Sequence, residues 1–293
     1  ANIPLKELKP NEHGDWINAR NEAFSAFIPI DSEKKYDIKS QSFFTCVSGA
    51  VVSSRDAWCY NFSKNELQSN IQKTIEYYNE QRELIAQRKQ KEPIVNSKKG
   101  SWSRDWQNFL TKNKIIIEEN EYRVSQYRPF VKVNTYFADD LNQERYQLPK
   151  FFPNLNTKNL TICVTGKSLF SFSALISNHI SEFGFLNGRN GTTQIFPLYY
   201  YEENKTIQKG LFDDVSSDSS SNYTRRDAVS DFILDRAKKQ YGKNVTKEDI
   251  FYYVYGFLHS KEYRETFAND LKKMLPRLPL VDDVRDFWAF SKA

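Results

Sequence analysis

The sequence has few of the residues that usually mark catalysis or covalent crosslinking. Its 293 residues include only three cysteines, three histidines and one methionine. Cys46, Cys59 and Cys163 are far apart and form no Cys-x-x-Cys pair, which excludes a disulfide framework and a zinc knuckle. Cys59 and Cys163 lie in apolar runs, so we expect buried free thiols and a reducing cytoplasm.

Motifs of the common enzyme classes are also missing. No metal-ligand spacing relates His13, His179 and His259, and we expect Asn178 and His179 to lie on a short helix. No Gly-x-Ser-x-Gly, His-Glu-x-x-His or glycine-rich dinucleotide turn occurs. Residues 165–168 resemble the end of a phosphate-binding P-loop, but Thr161 stands where that loop requires glycine. We therefore interpret the segment as a strand-to-helix turn, and we keep Lys167 as a candidate phosphate contact.

Long apolar runs and targeting signals are absent as well. A membrane helix needs about 18 consecutive apolar residues, and the sequence has no such stretch. The N-terminus lacks a charged and then apolar signal peptide. It also lacks a starting methionine, so we expect a piece of a longer protein, with a processed mature protein as the alternative. No membrane partner is predicted.

Aromatic residues and positive charge are what the sequence does supply. Aromatics make up 15% of the chain and hydrophobic residues 39%, enough for a sizeable core. The net charge of +5 is compatible with a nucleic-acid partner without requiring one.

The hydrophobic pattern predicts an α+β fold with a mixed β-sheet core. Apolar positions spaced by three and four predict a long helix over residues 66–91, capped by Ser63 or Asn65. Runs of β-forming residues predict strands at 115–117, 131–136, 159–164 and 194–201.

Helical patterns dominate the C-terminal part, where Thr246 is the expected cap of a helix. A stretch rich in Asp and Ser divides the sequence. We predict an α/β DNA-recognition lobe over residues 1–212, a flexible linker over 213–227 and a helical subdomain over 228–293.

Two arginines stand at the edges of aromatic, strand-like runs. Arg55 precedes Asp56 and Trp58, and Arg128 precedes Pro129. Arginine presents a planar fork that suits phosphate oxygens. For both arginines, a buried or partly buried ion pair within the protein is the alternative to contact with DNA. Lys132, close to Arg128, is a further candidate for contact with the DNA backbone.

Two polar loops are candidates for binding a nucleic acid. The first is a cationic loop interrupted by glycine and serine, and the second has the composition of a tight turn. Ordinary solvated charge is the alternative for both. The candidate residues in these loops are Lys98, Lys99, Ser101, Arg104, Arg189 and Asn190.

Four blocks of the sequence resemble one protein family and keep its order. They are 53–63 (Ser-Ser-Arg-Asp-Ala-Trp-Cys-Tyr-Asn-Phe-Ser), 127–132 (Tyr-Arg-Pro-Phe-Val-Lys), 197–201 (Pro-Leu-Tyr-Tyr-Tyr) and 249–260 (Asp-Ile-Phe-Tyr-Tyr-Val-Tyr-Gly-Phe-Leu-His-Ser). Together they are similar to the C-terminal target recognition domain of type ISP restriction–modification enzymes.

The resemblance implies a module that recognises double-stranded DNA and has no catalytic residue or cofactor of its own. Other domains of the longer enzyme would methylate adenine and cut DNA in an ATP-dependent manner, using S-adenosylmethionine, ATP and magnesium. This module would clamp DNA against the methyltransferase domain. A protein-docking domain without base readout is the alternative, and a small nuclease is a third hypothesis that no acid–lysine cluster supports.

Overall fold

One long helix and two four-stranded sheets organise the chain. The computed structural model describes residues 7–17, 19–31, 41–102, 106, 114–167, 170–186, 192–204 and 222–292. Helices account for 35% and strands for 22%, so the predicted α+β class is confirmed.

Within that part, the α-helices are α1 (Glu22–Ser25), α2 (Asp56–Cys59), α3 (Lys64–Ala86), α4 (Leu148–Phe151), α5 (Asp231–Tyr241), α6 (Lys247–Phe257), α7 (Lys261–Thr266), α8 (Ala268–Lys273) and α9 (Val284–Ser291). The strands are β1 (Ile28–Pro29), β2 (Ser48–Gly49), β3 (Tyr60–Asn61), β4 (Tyr122–Arg128), β5 (Val131–Tyr136), β6 (Thr161–Thr165), β7 (Ala174–Ser177), β8 (Ile180–Ser181), β9 (Thr193–Pro197), β10 (Tyr199–Glu203), β11 (Tyr223–Asp227) and β12 (Arg277–Leu278).

Helix α3 is the predicted long helix, although its ends differ from the prediction. The Ser63 hydroxyl accepts a hydrogen bond from Glu66 N at 3.3 Å, which satisfies one of the free donors at the helix start. The helix ends at Ala86, earlier than predicted, and Arg88 takes a left-handed φ of 56°. Its apolar face is buried, as the spacing of its apolar residues by three and four predicts.

The first sheet has the strand order β3-β5-β4-β8. Strands β4 and β5 form an antiparallel hairpin, and β8 runs parallel to β4. One side of the sheet and α3 share a core that includes Leu67, Ile71, Tyr78, Val133 and Tyr136. The strand predicted at 115–117 does not form. The backbone of Ile115 bonds instead to the Asn79 side chain, at 2.9 and 3.0 Å, which replaces a strand neighbour.

The second sheet has the order β2-β9-β6-β7 with antiparallel pairing throughout. All five residues of β6 are buried. The segment after β6 leads to strand β7, so the predicted strand-to-helix turn is wrong. Gly166 N donates to Thr192 O at 2.6 Å, and a Cβ at Gly166 would lie 2.1 Å from Thr192 Oγ1. Glycine is therefore required by this close approach.

The C-terminal helices pack onto the larger core, which also includes the second sheet. Thr246 and Asp249 form the predicted cap of α6 as a reciprocal capping box. The larger core includes Phe44 and Ile162 as well as Ile233 and Phe251, so the segment 213–227 does not separate two cores. The predicted division into domains otherwise stays a prediction.

The last five residues of the predicted linker are a strand. Tyr223–Asp227 pairs antiparallel with Tyr199–Glu203 as a two-stranded ribbon. Each of these residues lies opposite a residue of the other strand, and a polar composition alone does not predict this pairing. Residues 213–221 of the linker lie outside the described residues.

Candidate nucleic-acid interface

Arg55 is buried, with only 1% of its surface exposed. Its Nε donates to Ser101 O at 3.2 Å, and its Nη1 donates to Ser53 O at 3.3 Å and to Leu141 O at 3.2 Å. The guanidinium carbon lies 4.5 Å from the centre of the Trp106 ring. Arg55 therefore ties separate segments together and is not available to a phosphate. It precedes helix α2, so the strand-like interpretation of this run is wrong.

The two arginine-bearing blocks meet in space. Tyr127 Oη donates to Asp56 Oδ2 at 3.1 Å, and the Ser53 hydroxyl donates to the other carboxylate oxygen. The rings of Tyr60 and Tyr127 pack with centroids 4.9 Å apart. Segments more than seventy residues apart in sequence are thereby joined, since 71 positions separate Asp56 from Tyr127.

Arg128 forms the partly buried ion pair that was the alternative to DNA contact. Its Nη1 pairs with the carboxylate of Glu182, and its guanidinium lies 4.0 Å from the centre of the Tyr127 ring. Glu182 also accepts from Gly184 N at 2.8 Å. Burial raises the pKa of Glu182 to about 7, although the Arg128 charge opposes that shift. The Arg128 side chain keeps 36% exposure, so one part of it still faces solvent.

The tip of the β4–β5 hairpin presents an aromatic ring and a lysine. Pro129 and Phe130 form the turn, and Phe130 has a φ of 62° and is 88% exposed. Proline followed by a residue of positive φ is the pattern of a type II turn, where glycine is usual in the second place. Gln126 Nε2 donates to Arg128 O and fixes the turn, and Lys132 is exposed on the next strand.

Lys98 and Lys99 project from an anchored turn beside α3. Lys98 N donates to Asn96 Oδ1 at 3.0 Å, and Thr74 Oγ1 donates to Lys99 O at 3.0 Å. Both lysine side chains are exposed, and Lys99 Nζ lies 4.6 Å from the centre of the Tyr77 ring. They border a shallow cleft of about 280 Å³ with Lys73. The backbone is held while the cationic side chains stay free to reach a partner.

The remaining predicted residues differ in how much the structure says of them. Ser101 is half-buried, and its carbonyl accepts from Arg55. Lys167 is exposed after β6, beside Gly166 and its bond to Thr192. Arg104, Arg189 and Asn190 lie outside the described residues. Their predicted contacts with DNA stay predictions.

Hydrogen bonds connect the hairpin tip to the end of the second sheet. Glu182, the partner of Arg128, is followed by Phe183, whose carbonyl accepts from Thr193 Oγ1 at 3.0 Å. Thr193 follows Thr192, which receives the bond from Gly166 N. Arg128 and Lys167 therefore belong to one bonded region, whereas Lys98 and Lys99 lie beside α3 and reach it through Arg55 and Asp56.

A second cleft, of about 360 Å³, was missed from the sequence. It lies between β4, β5, the segment 152–157 and the bend at 178–179, which was expected to be helical. The residues come from distant parts of the chain, so no local motif marks them. Its polar lining includes Lys64, Arg123, Asn134, Asn154, Asn178 and His179.

The cysteines are buried and carry raised pKa values. Burial raises the pKa of Cys46 and of Cys59 to about 12, and that of Cys163 to about 11. Such thiols stay protonated and are poor nucleophiles. In the described part of the chain, no group of three or more His, Cys, Asp or Glu side chains is placed to hold a metal ion. No described helix is both long and apolar enough to cross a bilayer.

The structure is an α+β domain in which cationic and amide side chains lie on turns held by hydrogen bonds. A family model described as "Type ISP C-terminal specificity domain" matches residues 42–293. The chain belongs to this family.

Solved structures extend the likeness to nearly the whole chain. The ATP-dependent Type ISP restriction-modification enzyme LlaBIII bound to DNA matches 97% of this chain at 29% identity and a TM-score of 0.78, and the match takes in 17% of that enzyme. A nuclease-deletion mutant of the Type ISP enzyme LlaGI with a DNA substrate mimic matches 99% at 28% identity and a TM-score of 0.78, over 25% of its length.

A third solved structure, a DrdV–DNA complex, matches 99% of this chain and 27% of its own. At 24% identity and a TM-score of 0.79, this likeness establishes the fold alone. No curated protein matches the sequence.

Proposed function

We propose that this domain recognises a short sequence of duplex DNA as the specificity domain of a longer type ISP restriction–modification enzyme. The observation that carries the proposal is the match to the specificity-domain family over residues 42–293. The likeness to LlaBIII bound to DNA and to LlaGI with a DNA substrate mimic supports DNA as the ligand.

The distribution of charge supports a division of labour among the cations. Phosphate contacts position a protein on DNA, and side chains at base edges read the sequence. Lys98, Lys99, Lys132 and Lys167 are the exposed candidates for phosphate contact. Arg55 and the Arg128–Glu182 ion pair hold the surrounding segments in place.

We assign base readout to the predicted turn with Arg189 and Asn190, and we expect Arg104 and Ser101 to contribute further base contacts. An arginine side chain can form two hydrogen bonds to the edge of a guanine, and an asparagine side chain can form two to the edge of an adenine. Arg189→Ala is therefore expected to change site preference, at about 1–3 kcal/mol per lost base contact. Unchanged affinity and unchanged site preference would show that the reading turn lies elsewhere.

On this proposal the chemistry belongs to other parts of a longer chain. The match takes in only 17% and 25% of the two Type ISP relatives. Methylation of adenine with S-adenosylmethionine and ATP-dependent cleavage with magnesium would take place there, in the cytoplasm. This domain would contact the methyltransferase domain, which flips the target base.

The decisive experiment measures DNA binding as a function of sequence and salt. The methylated site is first found by sequencing DNA modified by the complete enzyme. Electrophoretic mobility shifts then compare a duplex carrying that site with a scrambled duplex. We expect a preference for the site and an affinity that falls steeply with salt, because phosphate contacts release counterions. Binding without preference in both this chain and a chain that includes the methyltransferase domain contradicts the proposal.

Docking onto a protein partner is the second candidate, because two phenylalanine side chains are more than 70% exposed. Phe62 is 76% exposed and Phe130 is 88% exposed. Large exposed apolar side chains mark interaction sites when they lie together. If this candidate is correct, Phe62→Ala and Phe130→Ala weaken association with the methyltransferase domain in the absence of DNA, and DNA affinity of the isolated chain is unaffected.

A further inference from the structure

The second cleft contains a buried arginine that lacks a full partner. Arg123 lies on β4 and is 8% exposed. Its Nη2 donates to Pro153 O at 3.5 Å, a long bond, and its buried Nε has no hydrogen-bond partner among the residues that the structure describes. Arg123 lines the cleft, as do Phe152 and Asn154 on either side of Pro153. The arginine therefore lies against the cleft and is bonded to the segment that borders it.

Glu121 is the acid that acts on Arg123, and it does not complete an ion pair. Its negative charge favours the protonated arginine, but burial has the larger effect and lowers the pKa of Arg123. Glu121 Oε2 is itself buried and has no hydrogen-bond partner in the described part of the chain. A buried charge that lacks a complete set of partners is costly. An anion that enters the cleft would offset this cost.

The rest of the lining suits an anion with several oxygen atoms. Lys64 contributes a cation at the first position of α3, where the helix dipole also favours negative charge. His179 contributes an imidazole, and Asn154 and Asn178 contribute amides. Burial and the Lys132 charge lower the pKa of His179.

We infer that this cleft binds a phosphate group, with Arg123 as the buried anchor and Lys64 and His179 as flanking donors. If the phosphate belongs to the backbone of duplex DNA, the inference rests on the proposed function. The same chemistry suits a free phosphate or a mononucleotide. Backbone contact at this cleft would place DNA across the open part of the first sheet, apart from Lys98 and Lys99.

The first arm of the test uses inorganic phosphate and thermal unfolding. Phosphate is compared with chloride at equal ionic strength, on the wild type, Arg123→Gln, Lys64→Gln and a control, Lys261→Gln, whose side chain is 86% exposed. A ligand that binds only the folded state raises Tm. We expect the rise in Tm to be equal in the wild type and the control, smaller in Lys64→Gln and smallest in Arg123→Gln, which keeps only the general stabilisation that phosphate gives as a salt.

Glu121→Gln separates a ligand site from a structural ion pair. If Arg123 serves phosphate, this variant keeps its fold and responds more strongly to phosphate, because a competing negative charge is gone. Arg123→Gln is expected to lower Tm in chloride in either case, because Glu121 then loses its nearby cation, so the response to phosphate is the readout that decides. If Arg123 merely pairs with Glu121, both variants lower Tm in chloride and neither changes a phosphate response. That outcome overturns the inference.

The second arm measures duplex DNA binding by fluorescence anisotropy over a salt series. Arg123→Gln is expected to weaken binding by about tenfold and to reduce the salt slope by about one, the effect of one lost phosphate contact. Lys261→Gln should leave both unchanged. A phosphate effect on Tm that requires Arg123, with unchanged DNA affinity, assigns the site to a free phosphate-bearing molecule. If the wild-type protein binds DNA without preference for the site, the proposed function is contradicted. A phosphate response that requires Arg123 would still identify the cleft as a phosphate site.

Discussion

The two four-stranded sheets differ in what covers their faces. In the second sheet, β6 is buried at every residue and lies within the larger core. In the first sheet, α3 covers only part of the strands, and the open part includes Val124, which is 42% exposed, and Lys132, which is also exposed. The second sheet is therefore scaffold, whereas the first sheet holds an open surface and a projecting hairpin in place.

The largest expected effect tests this contrast directly. Ile162 is fully buried in the middle of β6. Ile162→Ala should lower the free energy of unfolding by about 3 kcal/mol, because it removes buried methyl groups and leaves a cavity. Val124→Ala in the open part should change it by less than about 0.5 kcal/mol. Urea denaturation of both variants checks the comparison, and equal losses would mean that the open part is covered.

A similar loss is expected for the arginine that joins the α3 region to the hairpin. Arg55→Met should cost about 3 kcal/mol of stability, since three carbonyl acceptors lose their donor in a buried place. Arg285→Met is the control, because the Arg285 side chain is 87% exposed. The framework role would be refuted by an Arg55→Met protein that is as stable as the wild type but has lost DNA affinity.

An effect of up to the same size, which depends on pH, is expected for the bonded region at Arg128. Glu182 has a folded pKa of about 7 against an ordinary 4.5. Between these values the folded state binds more protons than the unfolded state. The contribution of Glu182 to stability is therefore fully present below about pH 4.5 and is lost as pH rises through about 7.

Glu182→Gln should abolish that loss and still offer an oxygen to Gly184 N. Relative to the wild type, the variant should gain up to about 3 kcal/mol between pH 4.5 and pH 7.5. Urea midpoints at several pH values measure this difference. Glu265→Gln is the control on an exposed carboxyl. A difference from the wild type that stays constant with pH would contradict the raised pKa.

The smallest effect on stability is expected for the turn beside α3, where a double replacement should change DNA binding alone. Replacement of Lys98 and Lys99 by glutamine should leave stability within about 0.5 kcal/mol of the wild type. It should weaken binding to all duplexes alike and reduce the salt slope by about two, one unit for each phosphate contact. The adjacent exposed lysines Lys238 and Lys239 on α5 provide the matched double control. Equal losses in the two double variants would indicate only a general charge effect.

Local signals in the sequence predicted the elements that local physics determines. The spacing of Leu67, Ile71 and Ile75 predicted α3, and Ser63 was one of its two expected caps. Thr246 marked the start of α6 because its hydroxyl and the acid at Asp249 can cap each other. The blocks around Arg55 and Arg128 led to the family, although they did not reveal what these side chains contact.

Properties that depend on distant partners were not accessible from the sequence. Arg55 is buried because its acceptors lie 46 and 86 positions away, at Ser101 and Leu141. His179 was expected on a helix, but it lies in the bend between β7 and β8, where Ser177 Oγ accepts from its backbone at 3.1 Å. The cleft at Arg123 is assembled from several segments, and only the folded chain brings its lining together.

The acceptors of Arg55 have a consequence for how this domain can diversify. All three acceptors whose bonds are described above are main-chain carbonyl oxygens, at Ser53, Ser101 and Leu141. Every amino acid carries this oxygen, so the anchor is indifferent to which side chain occupies position 101. Natural drift or a randomised library at positions 98, 99 and 101 can therefore alter the exposed side chains while the arginine continues to hold the loop in place beside α3.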